Sequence, residues 1–311
     1  MTGIKKSNNF IIIVHNHLVK IVLRVDMRRP KKLKEILREK LDDKELAYVP
    51  SSFDIVGSRD GAVALVEIPK EIYHRRREIG EAILTVHRNV KAVYAKKSSR
   101  FGVYRLRELE LIAGEQISEV LHKEYGVSLK LDVLRVYFSP RESTERMRIA
   151  SQVKEGESVM VMFAGVGPYA LIIAKKQPQV DKIIAIEINP VAYRYMVENI
   201  KLNKFEDKII PVLGDVKKVS YRWYGCCDRV VMPLPKGAKF FLDNAFNVLK
   251  KEGGYIHFYN WAKENELYVN AYRELEKSAV LFNREMKIIN LRKVLPYSPR
   301  VYKVCLDVRV F

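Results

Sequence analysis

The sequence predicts an α/β protein in which a doubly wound, mostly parallel sheet follows a small α+β domain. Three observations carry this. From about residue 131 apolar strand-like runs alternate with helical ones, which implies right-handed crossovers and a sheet covered on both faces. The last two strand-like runs, MKIINLRKVL and VYKVCLDVRVF, are separated only by PYSPR, too short for a crossover, so they form an antiparallel pair at one edge. Before residue 131 the pattern is mixed rather than alternating.

Taken in order, residues 1–30 form a short arm of strand character, and MRRPKKLK (27–34) is a basic patch at its end. Residues 31–130 contain a helical KKLKEILREKL, strand-like FDIVG and AVALVEI, and a helix through EIYHRRREIGEAIL. Residues 131–311 run ESVMVMF (strand), YALIIAKK (helix), KIIAIEI (strand), VAYRYMVENIKLN (helix), KIIPVL (strand) and RVVM (strand). AKFFLDNAFNVLKK (helix), GYIHFYN (strand) and ENELYVNAYRELEKSA (helix) follow, and then the terminal pair.

With 311 residues, 48 % of them hydrophobic, the chain can bury a sizeable core in about two domains. FIIIV near the N-terminus falls far short of the roughly 20 apolar residues that cross a bilayer, so a soluble, cytoplasmic protein without a membrane is expected. Three cysteines, two of them adjacent, suit neither a disulfide framework nor a zinc site; they read as reduced core residues, and no metal is expected. Lys and Arg number 56 against 37 Asp and Glu, a net charge of +19. A surface charged for heat tolerance raises both signs together, whereas here bases exceed acids by half. The excess is shared by both halves, and a polyanion is the partner it implies.

In an open parallel sheet, ligands bind beyond the carboxyl ends of the strands. FAGVGP (163–168) follows the first strand there, its Gly165 and Gly167 allowing close backbone approach. Glu187 ends the second strand, placed for ribose hydroxyls, and Gly214 and Asp215 end the third, placed for an adenine edge. The loop has Ala170 where the dinucleotide pattern GxGxxG has its third glycine, which favours a cofactor without pyrophosphate, such as S-adenosylmethionine, over NAD. VVMPLPKG (230–237) ends the fourth strand with two prolines that stiffen the turn and leave carbonyls free to face the site.

Two polar clusters lie upstream. SPRESTERMR (139–148) starts as a capping box, with Ser139 as N-cap, Pro140 at the first helical position and Glu142 reaching back; Arg141 and Glu145 share a helix face, where a surface ion pair is the simplest expectation. YRLRELE (104–110) carries Arg105 and Arg107 on one side if it is a strand, with Lys97 and Arg100 nearby, as solvated charges or as phosphate contacts.

VYFSPRESTERMRIA, MFAGVGPYA, AIEINPVAYRYMVENIKLNK and RVVMPLPKGA, with YRLRELELIAGE upstream, resemble the archaeal methyltransferases that act on the purine at position 37 of tRNA. The resemblance spans about residues 31–311. It implies a class I, Rossmann-like S-adenosylmethionine domain with a seven-stranded sheet and an antiparallel C-terminal edge, preceded by an RNA-binding domain. It implies Glu145 as general base and Arg105 as the group that meets charge on guanine O6. N1 of guanine must lose its proton before it is a good nucleophile, and the charge left behind spreads to O6. Tyr137, Arg146, Phe163, Gly165, Gly167, Glu187, Ile188, Asp215, Val216, Pro233 and Pro235 are implied at the cofactor, and Lys97, Arg107, Arg141 and Pro233 at the tRNA. No residue pattern fixes the oligomeric state, and a monomer is the expectation.

The chain departs from the family at three places. Val161 replaces an acid two residues before the phenylalanine of the glycine loop. The domain ahead of residue 31 is reduced to a short arm. Pro233, Leu234 and Pro235 stand where guanosine-N1 enzymes usually have Asn-Leu-Pro, which resembles the bifunctional branch that also methylates C7 of 4-demethylwyosine on the wyosine pathway. The expectation is therefore both activities; N1 methylation alone, or a tRNA-binding protein without catalysis, are the alternatives.

Overall fold

A computed structural model describes residues 33–311 and, nearer the N-terminus, the backbone of three strands: β1 (Ile4–Ser7), β2 (Phe10–His15) and β3 (Leu18–Leu23), an antiparallel sheet in that order. The basic patch 27–34 lies outside the described residues except for Leu33 and Lys34.

The helix expected in KKLKEILREKL (31–41) is described as α1 (Leu33–Leu37). Beyond that stretch a second short helix, α2 (Asp43–Tyr48), is started by the reciprocal capping box of Asp42 and Glu45. Strands β4 (Asp54–Ser58), β5 (Gly61–Val66), β6 (Val90–Lys96) and β7 (Leu109–Gly114) form one sheet in chain order, and α3 (Arg76–Val86) is the crossover between the parallel pair β5 and β6. Residues 104–107 are a loop and not the start of a strand, because Arg105 has φ +56°.

A hairpin, β8 (Glu119–Glu124) and β9 (Val127–Asp132), stands between the two larger sheets. Its inner residues Val127, Leu129 and Leu131 are buried. The element that follows, α4 (Ser143–Ala150), is entered through a short 3₁₀ turn at Pro140–Glu142.

The second sheet comprises β10 (Ser158–Met162), β11 (Lys182–Glu187), β12 (Ile209–Leu213), β13 (Arg229–Met232), β14 (Gly254–Lys263), β15 (Met286–Ser298) and β16 (Val301–Val310). Their order is β12-β11-β10-β13-β14-β16-β15, with β16 antiparallel to both neighbours and the other contacts parallel. This is the class I Rossmann-like fold with the expected antiparallel edge; only two residues join the last strands, since β15 extends through most of the PYSPR stretch. The helices are α5 (Pro168–Lys176), α6 (Pro190–Leu202), α7 (Val216–Val219), α8 (Leu242–Val248) and α9 (Val269–Leu281).

Strand alternation divides the core. Val159 and Val161 of β10 face Leu171, Met196 and Ile200 of α5 and α6, while Met160 and Met162 face Ala245, Phe246 and Leu275 of α8 and α9. Val161 is wholly buried in that apolar layer, so no carboxylate enters the site from its position. The buried Asn199 of α6 locks the hairpin onto this domain, accepting from Lys130 N at 2.7 Å and donating to Lys130 O at 3.0 Å, as a paired strand would.

The three cysteines are free; Cys227 and Cys305 are buried as expected, whereas Cys226 is exposed. Among the described residues no helix is long and apolar enough to cross a membrane.

Candidate active site

A chamber of about 1710 Å³ opens between the two domains above the carboxyl ends of β10, β11, β12 and β13. Of the residues expected to carry the chemistry, the cofactor or the tRNA, all line it except Glu145 and Gly167.

The end over the sheet has a nucleoside-sized design. Phe163, Gly165 and Gly167 turn the chain with φ of +61°, +60° and +91°, so the backbone folds back over β10. Gly167 caps α5, and a Cβ there would meet Met196 Cγ at 3.1 Å, so its part is the turn and its packing. Glu187 accepts from Gly165 N and Asn189 N, each at 2.7 Å, fixing its carboxylate at the strand end with lone pairs left for a diol. Burial raises the Glu187 carboxyl above its ordinary value, and the N–H groups of Asn189, Gly165 and Ile188 oppose that only in part. Asp215 caps α7 through Lys217 N and faces the same space, as do Pro233 and Pro235 beyond β13. Phe163 is held edge-on by Phe241, with ring centroids 4.8 Å apart. A glycine turn, a strand-end acid and an aromatic floor fit an adenosyl cofactor.

The opposite wall is cationic. Arg100, Arg105 and Arg107 come from the loop between β6 and β7, with Lys96 and Lys97 at its base. Arg107 Nε is buried with no hydrogen-bond partner among the described residues. Arg141 does not pair with Glu145; its Nε donates across the domain gap to Asp54 Oδ1 at 2.5 Å, and Lys96 donates to the other oxygen at 2.7 Å. Arg100 lies over the Tyr137 ring, 3.8 Å from its centroid.

Glu142 corrects the capping expectation. Ser139 makes no side-chain cap, and the Glu142 carboxylate instead accepts from Lys303 Nζ at 2.8 Å and Tyr137 Oη at 3.1 Å in the chamber wall. Burial works against its charge, but Lys303, Arg146 and Tyr137 together hold the carboxyl below its ordinary value. Arg146 reaches the wall with its guanidinium already committed, forked onto Glu124 at 2.6 Å twice and donating to Ser139 O.

Glu145 stands one layer behind. Its carboxylate accepts from Arg148 at 2.7 and 2.8 Å and from Tyr259 Oη at 2.6 Å. Tyr169, which does line the chamber, donates to Tyr259 Oη at 3.3 Å. Sequence reasoning missed Lys303, Trp261 and Tyr297 on the wall; Lys303 and Tyr297 come from the antiparallel edge and Trp261 from β14 beside it, and no local spacing ties them to the glycine loop.

The description "TRM5/TYW2 methyltransferase domain" matches residues 120–289, and "TYW2 N-terminal domain" matches residues 33–117. The chain belongs to the TRM5/TYW2 methyltransferase family. It is similar to the tRNA (guanine(37)-N(1))-methyltransferase Trm5b of Pyrococcus abyssi, 41 % identical over 99 % of this chain and 90 % of the relative. The crystal structure of that Trm5b superposes with a TM-score of 0.82 at 40 % identity, covering 99 % of this chain and 91 % of the other. The structure of aTrm5 in complex with tRNALeu superposes with a TM-score of 0.78 at 34 % identity, covering 99 % of this chain and 91 % of the other. The tRNA (guanine(37)-N(1))/4-demethylwyosine(37)-methyltransferase Taw22 of Nanoarchaeum equitans is 30 % identical over 83 % of this chain and 99 % of the relative. Within this family, the seam between the two matched regions falls in the turn before β8, so the hairpin goes with the methyltransferase region.

Proposed function

We propose that this protein transfers a methyl group from S-adenosylmethionine to N1 of guanosine 37 in tRNA. The observation that carries the reading is one chamber joining the Gly165–Glu187 nucleoside end to the cationic wall of Arg100, Arg105 and Arg107. The 41 % identity to an enzyme named for that reaction supports N1 as the acceptor, ahead of the dual reading, whose namesake is 30 % identical.

S-adenosylmethionine supplies an electrophilic methyl group; the chain's own residues must hold the acceptor, take a proton and meet a charge. Arg105 meets the charge on O6 from the loop wall. Glu145 takes the proton through the two hydroxyls in front of it. As N1 gives its proton to Tyr169, the Tyr169 proton would pass to Tyr259 and the Tyr259 proton to Glu145; N1 would gain its bond to the methyl carbon as the methyl–sulfur bond breaks, its electron pair staying on the sulfur of the departing S-adenosylhomocysteine. Both hydroxyls already donate in that direction. Arg141, Lys97 and Arg107 contact the tRNA, and Phe163, Glu187, Ile188, Asp215 and Val216 hold the cofactor.

Pro233 favours a second reading, transfer to C7 of 4-demethylwyosine as well, because it gives the wall beside the acceptor an apolar surface in place of an amide. One experiment separates the readings: transfer from labelled S-adenosylmethionine to two purified tRNAs, one with guanosine and one with 4-demethylwyosine at position 37, followed by nucleoside analysis. Label as 1-methylguanosine alone is expected. Label on both selects the dual reading, and none on either, with tRNA still bound, leaves a binding protein.

A further inference from the structure

Trp261 and Tyr297 form an aromatic pair in the chamber wall, ring centroids 4.3 Å apart and planes inclined by 39°. They belong to strands that are not neighbours. Trp261 on β14 pairs with Lys303 on β16, and Leu295 on β15 pairs with the same Lys303, so the contact bridges over the middle strand. Tyr297 gets there through a bulge: Pro296 pairs with Tyr302 and Ser298 with Val301, leaving Tyr297 as the extra residue. Bulges re-aim side chains in this way.

The pair is not core. Tyr297 is 65 % exposed, and its hydroxyl has no hydrogen bond among the described residues, so an aromatic face is held open at the lip of a cationic chamber. Cations on one wall and an open ring on the other suit single-stranded RNA, whose phosphates take the charges and whose bases stack on aromatic faces.

We propose that Trp261 and Tyr297 are a stacking platform for an unpaired base flanking position 37. The inference rests on the tRNA reading above. A base turned into the chamber leaves its neighbour without a stacking partner, and the platform replaces that partner whatever the base, because every base has a π-face.

The test uses the full chain and tRNA carrying 2-aminopurine singly at position 36 or 38, with N1 methylation of unlabelled tRNA measured alongside. One probe is expected to stay quenched in the wild-type complex and to brighten in Tyr297→Ala, whose Kd for tRNA rises about 10-fold, within the range for loss of one stacked base. Tyr297→Phe, which keeps the ring, should match wild type in both. Equal probe emission and equal Kd in wild type and Tyr297→Ala would overturn the platform. If wild type methylates normally in that case, the tRNA reading stands and only the platform falls; if wild type binds tRNA through Tyr297 but transfers no methyl, the reverse holds.

Discussion

Tyr259 donates its hydroxyl proton to Glu145 Oε1 at 2.6 Å from a fully buried position, placing a single hydroxyl between the carboxylate and chamber-lining Tyr169. If this chain carries the N1 proton, cutting it at either end slows chemistry and spares binding. Glu145→Gln is expected to lower the single-turnover rate by about 10²- to 10⁴-fold, the span of general base catalysis. Tyr259→Phe should lower it by at least about 10-fold, with cofactor and tRNA affinities within a factor of a few in both variants. Glu142→Gln is the control that decides between the two acids, since Glu142 lies on the wall and Glu145 behind it. A larger loss of rate in Glu142→Gln than in Glu145→Gln would move the base to Glu142.

Arg105 sits at φ +56° in the loop that faces the glycine turn, a conformation unusual for an arginine and one that aims its side chain from the α+β domain. Arg105→Ala is expected to reduce single-turnover methylation by about 10²- to 10³-fold, as for loss of one oxyanion donor. Its Kd for tRNA should change less than 10-fold, because Arg100, Arg107 and Lys97 remain to hold phosphates. A rate loss matched by an equal loss of affinity would make Arg105 a binding residue.

The strands, the crossovers and the glycine loop were legible because each is a local pattern: a run of about five apolar residues, a period of 3.6, a turn that needs positive φ. The antiparallel edge was legible too, from a loop too short to cross over. What stayed hidden depends on partners far apart in the chain. Glu142 reads as a cap because Lys303 is 161 residues away, and Arg141 reads as the partner of Glu145 because Asp54 is 87 residues away. Arg146 does line the chamber, but that Glu124, 22 residues away, already holds its Nε and Nη2 is not visible in the local sequence. For Glu142 and Arg146 tertiary pairing of a buried charge decides the partner, since an unpaired charge at that depth costs more than a surface pair returns; Arg141 is itself exposed and goes to the part-buried Asp54.

Asp54 ties the domains together by holding Lys96, of its own domain, and Arg141, of the other. Burial raises its carboxyl, but Lys96 and Arg141 together hold it below the ordinary value. Asp54→Asn leaves Lys96, 13 % exposed, without its counter-charge, and is expected to destabilise the protein by about 1–3 kcal/mol. Equilibrium urea unfolding checks this; an unchanged midpoint would mean that Lys96 reaches solvent on its own.

Asp307 should dominate the response to acid. Burial raises its carboxyl, yet His257 at 2.7 Å and the Arg148 guanidinium hold it far below the usual carboxylate range. The unfolded chain titrates this acid near pH 4. With the folded value depressed, its stabilisation is complete above that pH and is lost as pH falls toward the folded value. Glu187 has the opposite sign: its raised carboxyl favours the folded state only below the unfolded value, and the advantage disappears as pH rises through the folded one. Unfolding free energies at pH 7, 4 and 2.5 are therefore expected to fall steeply over the last interval in wild type. Asp307→Asn should start about 3–5 kcal/mol lower at pH 7, because Arg148 loses a buried counter-charge, and should fall less between pH 4 and 2.5. Equal acid slopes for the two proteins would show that Asp307 is not the group whose protonation opens the fold.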